Sequence, residues 1–169
     1  MALIVEDGTQ VAGAESYVSV AAATTFHANR GNAAWALLTT AQMEESLRKA
    51  TDYMRQAYRG IWKGFRVSSS QVLDWPRANV QVEDGPYRNI VATNIVPQEV
   101  KDACAILALT ASAADLAPNL EQQTLSETVG PLSVTYSQSS PQYTRYRAID
   151  MLLRPYISGG GVMSKLERV

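Results

Sequence analysis

The chain has 169 residues, 46% hydrophobic and 18% charged, with 15 Lys and Arg against 16 Asp and Glu for a net charge of −1. That length suits one domain around a single core, and so even a balance excludes a global field that would gather nucleic acid or anionic membrane. The one cysteine, Cys104, excludes an internal disulfide and fits a reducing compartment, and no run nears the ~18 apolar residues of a bilayer span.

Residues 1–18 read as an extended N-terminal arm, with Leu3-Ile4-Val5 as a short strand and Asp7-Gly8 as a turn. Its apolar run is too short, and Glu6-Asp7 too acidic, for a secretion signal. Ser19 is placed to cap a first helix that runs to about Arg30 and stops at Gly31. Asn32 to Leu38 forms a link anchored by Trp35. Thr39 and Gln42 have capping-box spacing. Behind them Met43, Leu47, Ala50, Met54 and Ala57 repeat at three or four residues, widened by Tyr53 and Tyr58, so a second helix is expected up to Gly60.

From Ile61 to Ile95 no helical period is present, and Gly64, Pro76, Gly85 and Pro86 break the stretch into irregular chain or short strands. A connector of that length is uncommon in a compact domain unless it has a function. Pro97 opens a third helix as its first residue, with Val100, Cys104, Leu107, Ala111 and Ala114 as its buried stripe and an end near Pro118. Residues 125–139 alternate around Leu132, Val134 and Tyr136, with Gly130-Pro131 as a turn, so a β arm is expected there. A last helix spans about Gln142 to Ile157 with Tyr146, Ile149, Leu152, Leu153 and Tyr156 on one face, broken near Pro155. Gly159-Gly160-Gly161 reads as a hinge before a flexible tail, 159–169. The expected fold is mainly α: a small bundle of about four helices over residues 19–158, with the long connector, the β arm and extended termini.

Chemistry is sparse in this chain. His27 lies inside the first helix without a partner that spacing would fix, so it reads as structural, at the helix surface or half-buried. Cys104 falls on an apolar stripe and reads as core. One Cys and one His make no zinc site, and Glu44-Glu45 and Glu6-Asp7 read as solvated pairs. No catalytic residue, cofactor or metal is expected, and the chain does not read as an enzyme. The segment from Tyr53 to Arg77 is different. It sets Arg55, Arg59, Lys63, Arg66 and Arg77 against one acid, Asp74, and interleaves Tyr53, Tyr58, Trp62, Phe65 and Trp75. Such residues can neutralise phosphates and stack bases. Equally, the tryptophans can pin the connector while the arginines cover rings or cross a subunit boundary. Tyr143, Arg145, Tyr146, Arg147, Arg154 and Tyr156 form a second cluster open to both readings.

A set of motifs recurs in a familiar order. Ala14-Glu15-Ser16-Tyr17-Val18-Ser19 precedes a helix, then Arg30-Gly31-Asn32 and Leu47-Arg48-Lys49-Ala50-Thr51-Asp52-Tyr53. Trp62-Lys63-Gly64-Phe65-Arg66-Val67 leads to Gln71-Val72-Leu73-Asp74-Trp75-Pro76-Arg77, and Val129 to Tyr136 and Leu152-Leu153-Arg154-Pro155 follow. Over nearly the whole chain this order resembles tailed-bacteriophage head–tail connector proteins (neck adaptors, or head completion proteins), whose relatives often bear the label DnaT-like single-stranded DNA-binding protein. The resemblance implies a helical subunit without cofactor that forms a homo-oligomeric ring, usually of twelve copies. That ring docks on the portal protein and meets the next neck or tail-terminator protein. It extends the channel through which double-stranded DNA passes without sequence readout, and it touches no membrane. Its place is the virion, at the head–tail interface, after assembly in the host cytoplasm. Within that frame Trp62, Arg66, Trp75 and Arg77 are expected to organise the connector, and Arg55, Arg59 and Lys63 to face DNA or a neighbouring subunit. Residues 1–10 and the tail, with Lys165, Leu166 and Arg168, are expected to bind partners. The alternative is a single-stranded DNA-binding replication accessory.

Overall fold

The computed structural model describes residues 2–84, 86–119, 126–129, 132–135 and 144–158. Five α-helices and six short strands are present among them: α1 (Val20–Ala28), α2 (Ala33–Ala36), α3 (Thr40–Tyr58), β1 (Phe65–Arg66), β2 (Arg77–Ala78), β3 (Gln81–Asp84), β4 (Tyr87–Ile90), α4 (Gln98–Ala113), β5 (Ser126–Val129), β6 (Leu132–Thr135) and α5 (Arg147–Leu153). A 3-10 turn, Arg154–Tyr156, continues α5. The fold is mainly helical, and its strands form three separate two-stranded antiparallel ladders. The β arm expected over 125–139 is described only at its two strands, and the tail 159–169 lies outside the described residues.

The core is built on α3 against α4, with α1 and α5 beside that pair. Leu47, Ala50 and Met54 of α3 are wholly buried, as are Val100, Ala103, Cys104, Leu107 and Ala108 of α4. The run of small residues on α4 keeps side-chain bulk low where the two helices meet. Thr51 reconciles its buried hydroxyl by donating to Leu47 O at 2.9 Å, within reach of Cys104 Sγ at 3.4 Å. Burial pushes the Cys104 thiol above its usual range, so it stays protonated and unreactive.

Local signals decide the helix ends. Ala22 N–H donates to Ser19 Oγ at 3.2 Å, and Thr39 and Gln42 form a reciprocal capping box. Other boundaries differ from expectation. Ala57 and Ala114 are exposed, not buried; on α3 the buried face runs from Met54 to Tyr58, four residues on, and passes Ala57 by. Pro97 is the N-cap of α4 and not its first residue; with ψ at 148° it is still extended. The link over 32–38 holds the four-residue α2, and its Trp35 is fully buried with Nε1–H donated to Thr24 Oγ1 at 3.1 Å. The last helix begins at Arg147, not Gln142. Tyr146 holds its entry in place by donating its hydroxyl to Leu116 O at 3.2 Å and meeting the Tyr53 ring edge-on at 5.3 Å. Pro155 falls in the 3-10 turn that closes it.

His27 is not at the helix surface or half-buried but 1% exposed. Its Nε2 is 3.1 Å from Ala105 O and its Nδ1 3.1 Å from Asn32 Nδ2. That network assigns the proton to Nε2 and leaves Nδ1 to accept, which suits a neutral ring. Trp35 lies over the imidazole with centroids 4.7 Å apart. Burial, above all, holds its pKa below the usual histidine value.

Residues 2–18 are extended but lie on the body of the protein. Val5 bridges Ser16, and Glu6 N–H donates to Ser16 O at 2.8 Å. Glu6 is not solvated, as its acidic neighbour Asp7 is; it is 1% exposed. Its carboxylate accepts the main-chain N–H groups of Gly8, Gln10 and Val11 at 2.9–3.0 Å, an internal cap for the turn that follows. Gly8 sits at φ +111°, and a Cβ there would run into the carbonyl of Asn94, so only glycine fits.

Two predictions follow from these buried groups. Glu6→Ala orphans three N–H donors and is expected to cost about 3 kcal/mol in urea denaturation, with Glu6→Gln costing less because one acceptor survives. For His27 the folded pKa is lowered, so the unfolded chain binds the extra proton more readily. Stability is therefore full above the unfolded value of ~6.5 and falls as pH drops below it. Urea melts at pH 7 and pH 5 are expected to show this loss in the wild type and a smaller one in His27→Gln.

Candidate functional site

The connector from Ile61 to Ile95 is held by its own side chains. Trp75 is fully buried and Trp62 nearly so. Tyr58, Trp62, Trp75 and Tyr156 form a chain of rings with centroids 5.6, 5.7 and 5.7 Å apart, the last two edge-to-face, the favoured geometry for aromatic pairs. Neither indole N–H has a partner among the described residues, so the tryptophans act here through their rings. At the two ends of the chain, Tyr58 donates its hydroxyl to Asp150 Oδ1 at 2.8 Å and Tyr156 donates to Glu99 Oε2 at 2.7 Å. Burial, then the carboxylate partners, pushes both phenols above their usual pKa. They remain donors throughout the physiological range.

Each polar member of the Gln71-x-Leu73-x-Trp75-Pro76-Arg77 run has an internal task. Gln71 Nε2 donates to Leu73 O and Pro76 O at 2.9 and 3.0 Å, and its Oε1 accepts from Ser68 N–H at 2.9 Å. Arg77 spreads its guanidinium over three main-chain carbonyls: Nε to Lys63 O at 2.8 Å, Nη2 to Gly64 O at 2.8 Å and Nη1 to Asp74 O at 3.2 Å. Burial lowers its pKa while Asp74 opposes that, and a guanidinium stays charged regardless. Gly64 has φ +64°, and a Cβ on it would collide with Ala78 O. Its lack of a side chain lets β1 and β2 close. Asp74, also buried, donates its N–H to Tyr17 Oη at 3.1 Å, which ties the connector to the N-terminal stretch.

The remaining basic residues divide. Arg59, half exposed, pairs through Nε with buried Asp74 Oδ1 at 2.8 Å. Lys63 Nζ donates to Gln81 O and Pro155 O at 3.2 and 2.9 Å. Arg55 lies 3.4 Å from Asp52 on the same helix. Arg66 is exposed and donates to Gln71 O at 3.2 Å, beside Phe65, which is 60% exposed. Trp62, Trp75 and Arg77 therefore share one buried assembly, with Lys63 and Arg59 at its margin and Arg66 outside. Lys165, Leu166 and Arg168 lie outside the described residues.

The short strands offered for 61–95 are present, but sequence reading did not pair them: β3 and β4 form a second hairpin, where Tyr87 and Ile90 are exposed and Arg88 is 3.8 Å from Glu83. Tyr87-Arg88 repeats the exposed aromatic-arginine pairing of Phe65-Arg66, a doubling visible in the sequence once the burial of Trp62 and Trp75 removes the louder signal. Among the described residues no group of three or more His, Cys, Asp or Glu is placed to hold a metal. The Tyr53 depression, about 580 Å³, collects Lys49, Asp52 and Gln56 with residues 111–117, and holds neither histidine nor cysteine. No described helix is long and apolar enough to cross a membrane.

A family model described as "Putative DnaT-like ssDNA binding protein" matches residues 1–169. No curated protein and no solved structure matches the chain.

Arg77→Lys keeps the charge but loses the fork that reaches three carbonyls. It is expected to destabilise by about 3 kcal/mol in urea denaturation, whereas Arg66→Ala is expected to cost less than about 1 kcal/mol.

Proposed function

We propose, for a chain that belongs to the DnaT-like family named above, a structural and not a catalytic function: it is a neck subunit of a tailed-bacteriophage particle. In this reading copies form a ring on the portal, extend the channel for double-stranded DNA and receive the next neck or tail component. A helical bundle forms the body of each subunit, and the β arm over 125–139 and the tail over 159–169 reach neighbours or the portal. The observation that carries the structural part is the use made of the Gln71 to Arg77 run. The residues best suited by type to stack bases or grip phosphates are instead buried against one another or bonded to main-chain carbonyls of their own subunit. The particle is inferred from the resemblance of the motif order to that of head–tail connector proteins. Native mass spectrometry of the purified chain and electron microscopy of virions test it: a closed oligomer and neck density that fits this fold are expected. A protein that is strictly monomeric and missing from particles sinks the reading.

A second reading, binding of single-stranded DNA, takes its support from the family's printed description and from the exposed Phe65-Arg66 and Tyr87-Arg88 pairs. Exposed rings beside arginines can stack bases in a sequence-tolerant way. Fluorescence anisotropy with a labelled oligonucleotide discriminates. DNA binding that falls steeply between 50 and 200 mM salt, and weakens in Arg66→Ala and Arg88→Ala, is the signature of this second function. Under the structural reading no salt-dependent binding is expected.

A further inference from the structure

β3 and β4 pair in the register Gln81↔Ile90, Val82↔Asn89, Glu83↔Arg88 and Asp84↔Tyr87. In an antiparallel ladder alternate residues turn their N–H and C=O toward the partner strand or away from it. Val91 N–H donates to Val80 O at 2.9 Å, which fixes the phase: residues 87, 89 and 91 face inward. The main-chain groups of Arg88 and Ile90 then line the outer edge of β4, and those of Gln81 and Glu83 the outer edge of β3.

The two edges are not equivalent. On β3, Lys63 Nζ donates to Gln81 O and the 3-10 turn Arg154–Tyr156 packs alongside. On β4, no hydrogen bond from the described residues reaches the main chain of Arg88 or Ile90. All four residues of β4 are exposed, Tyr87 at 71% and Ile90 at 65%. Meanwhile β5 and β6 pair only with each other, in the register Ser126↔Thr135 to Val129↔Leu132, and pack extensively on no other described element. A two-stranded hairpin is marginal in water and gains independent stability with a third strand. Among the described residues, one hairpin thus offers an edge on the body that nothing pairs with, and another has no sheet to join.

We propose that the outer edge of β4 receives the β5–β6 hairpin of a second copy of this chain, so that adjacent subunits share a four-stranded sheet. The proposal rests on the ring reading above and names its contact. Charge selects the occupant. Within the described strands β5–β6 carries a single charged residue, Glu127, and β4 carries a single one, Arg88. Joining two β4 edges would instead set two arginines into one four-residue ladder, where like charges repel. Donor and acceptor are different patches, so the contact is head-to-tail and propagates around a ring. Main-chain bonding gives affinity and the alternate side chains Tyr87 and Ile90 give selectivity, as in strand addition generally.

Cysteine cross-linking tests this on the full chain, because Cys104 is fully buried and leaves introduced thiols to report. Ile90→Cys is mixed with Ser133→Cys, and in a separate sample with Thr128→Cys, since either strand of the hairpin presents an edge. A mixed disulfide dimer in one of the two samples, and none from Ile90→Cys alone, is expected. The corresponding double variant in one chain is expected to give a ladder of oligomers on a non-reducing gel. Arg88→Pro removes an outward N–H without touching an inward bond of the hairpin, so the oligomer fraction in native mass spectrometry is expected to fall at least ~10-fold at unchanged melting temperature. Disulfides within one chain, dimers of Ile90→Cys alone, or an undiminished oligomer in Arg88→Pro overturn the proposal. An intact wild-type ring in which no pair cross-links overturns this contact and spares the ring reading, whereas a wild-type protein that stays monomeric overturns both.

Discussion

The connector depends on one fork of hydrogen bonds. Arg77 gathers the carbonyls of Lys63, Gly64 and Asp74 under a single guanidinium, and those residues lie on opposite sides of a loop that has no regular structure of its own between Arg66 and Arg77. Carbonyls drawn wholly or partly out of water must be satisfied somewhere, and here neither helix nor long strand is available to do it. An arginine is the one side chain with enough donors in a fixed plane to serve all three. Beside the fork Trp75 lies in the core against Trp62 and Tyr156, and the β1–β2 and β3–β4 ladders follow from the same stretch of chain.

Electrostatics follow the same economy. Arg59 faces Asp74, Arg48 faces Glu15 and Glu44, Lys49 faces Glu45, and Arg30 sits 3.6 Å from Asp102 and over the Phe26 ring. The exposed pairs among these contribute little to stability, of order 0–1 kcal/mol each; Arg59–Asp74 differs, because its carboxylate is buried and would be left unpaired without the arginine. Their effect is to neutralise patches locally, so that the near-zero total charge is also near zero region by region along α3. The connector also exposes apolar side chains: Phe65, Val67 and Val72 on one part, and Tyr87, Ile90 and Ile95 on another.

How far the sequence disclosed this depended on the range of the signal. α3 was legible because nineteen residues repeat a 3.6-residue period behind a capping box, and α4 because its apolar stripe is nearly as long. α2 was not, since four residues carry no period. The burial of Glu6 was not, because an acid that accepts from the next turn has the same spelling as an acid in water. The same holds for the site. Composition marked Trp62 to Arg77 as unusual, but arginines bonded to phosphate and arginines bonded to main-chain carbonyls are indistinguishable until the partners are known. The edge of β4 was invisible for a different reason: it is a property of main-chain groups left over, and leftovers appear only when every other bond is in place.

The ring chain from Tyr58 to Tyr156 also has a bearing on how the protein is made. Its closing bonds join residues far apart in sequence, Tyr58 to Asp150 and Lys63 to Pro155 across 92 positions each, and Ser158 to Ile61 across 97. A nascent chain that has presented α1, α3 and the connector still lacks the segment that covers Trp62 and Trp75. Burial of the two tryptophans is complete only with that segment in place, Tyr156 against Trp75 and Ile157 bridged to Trp62. Truncation before Tyr156 removes the ring that packs edge-on against Trp75 and the hydroxyl that bonds Glu99, and so the lid of the core and not a dispensable end.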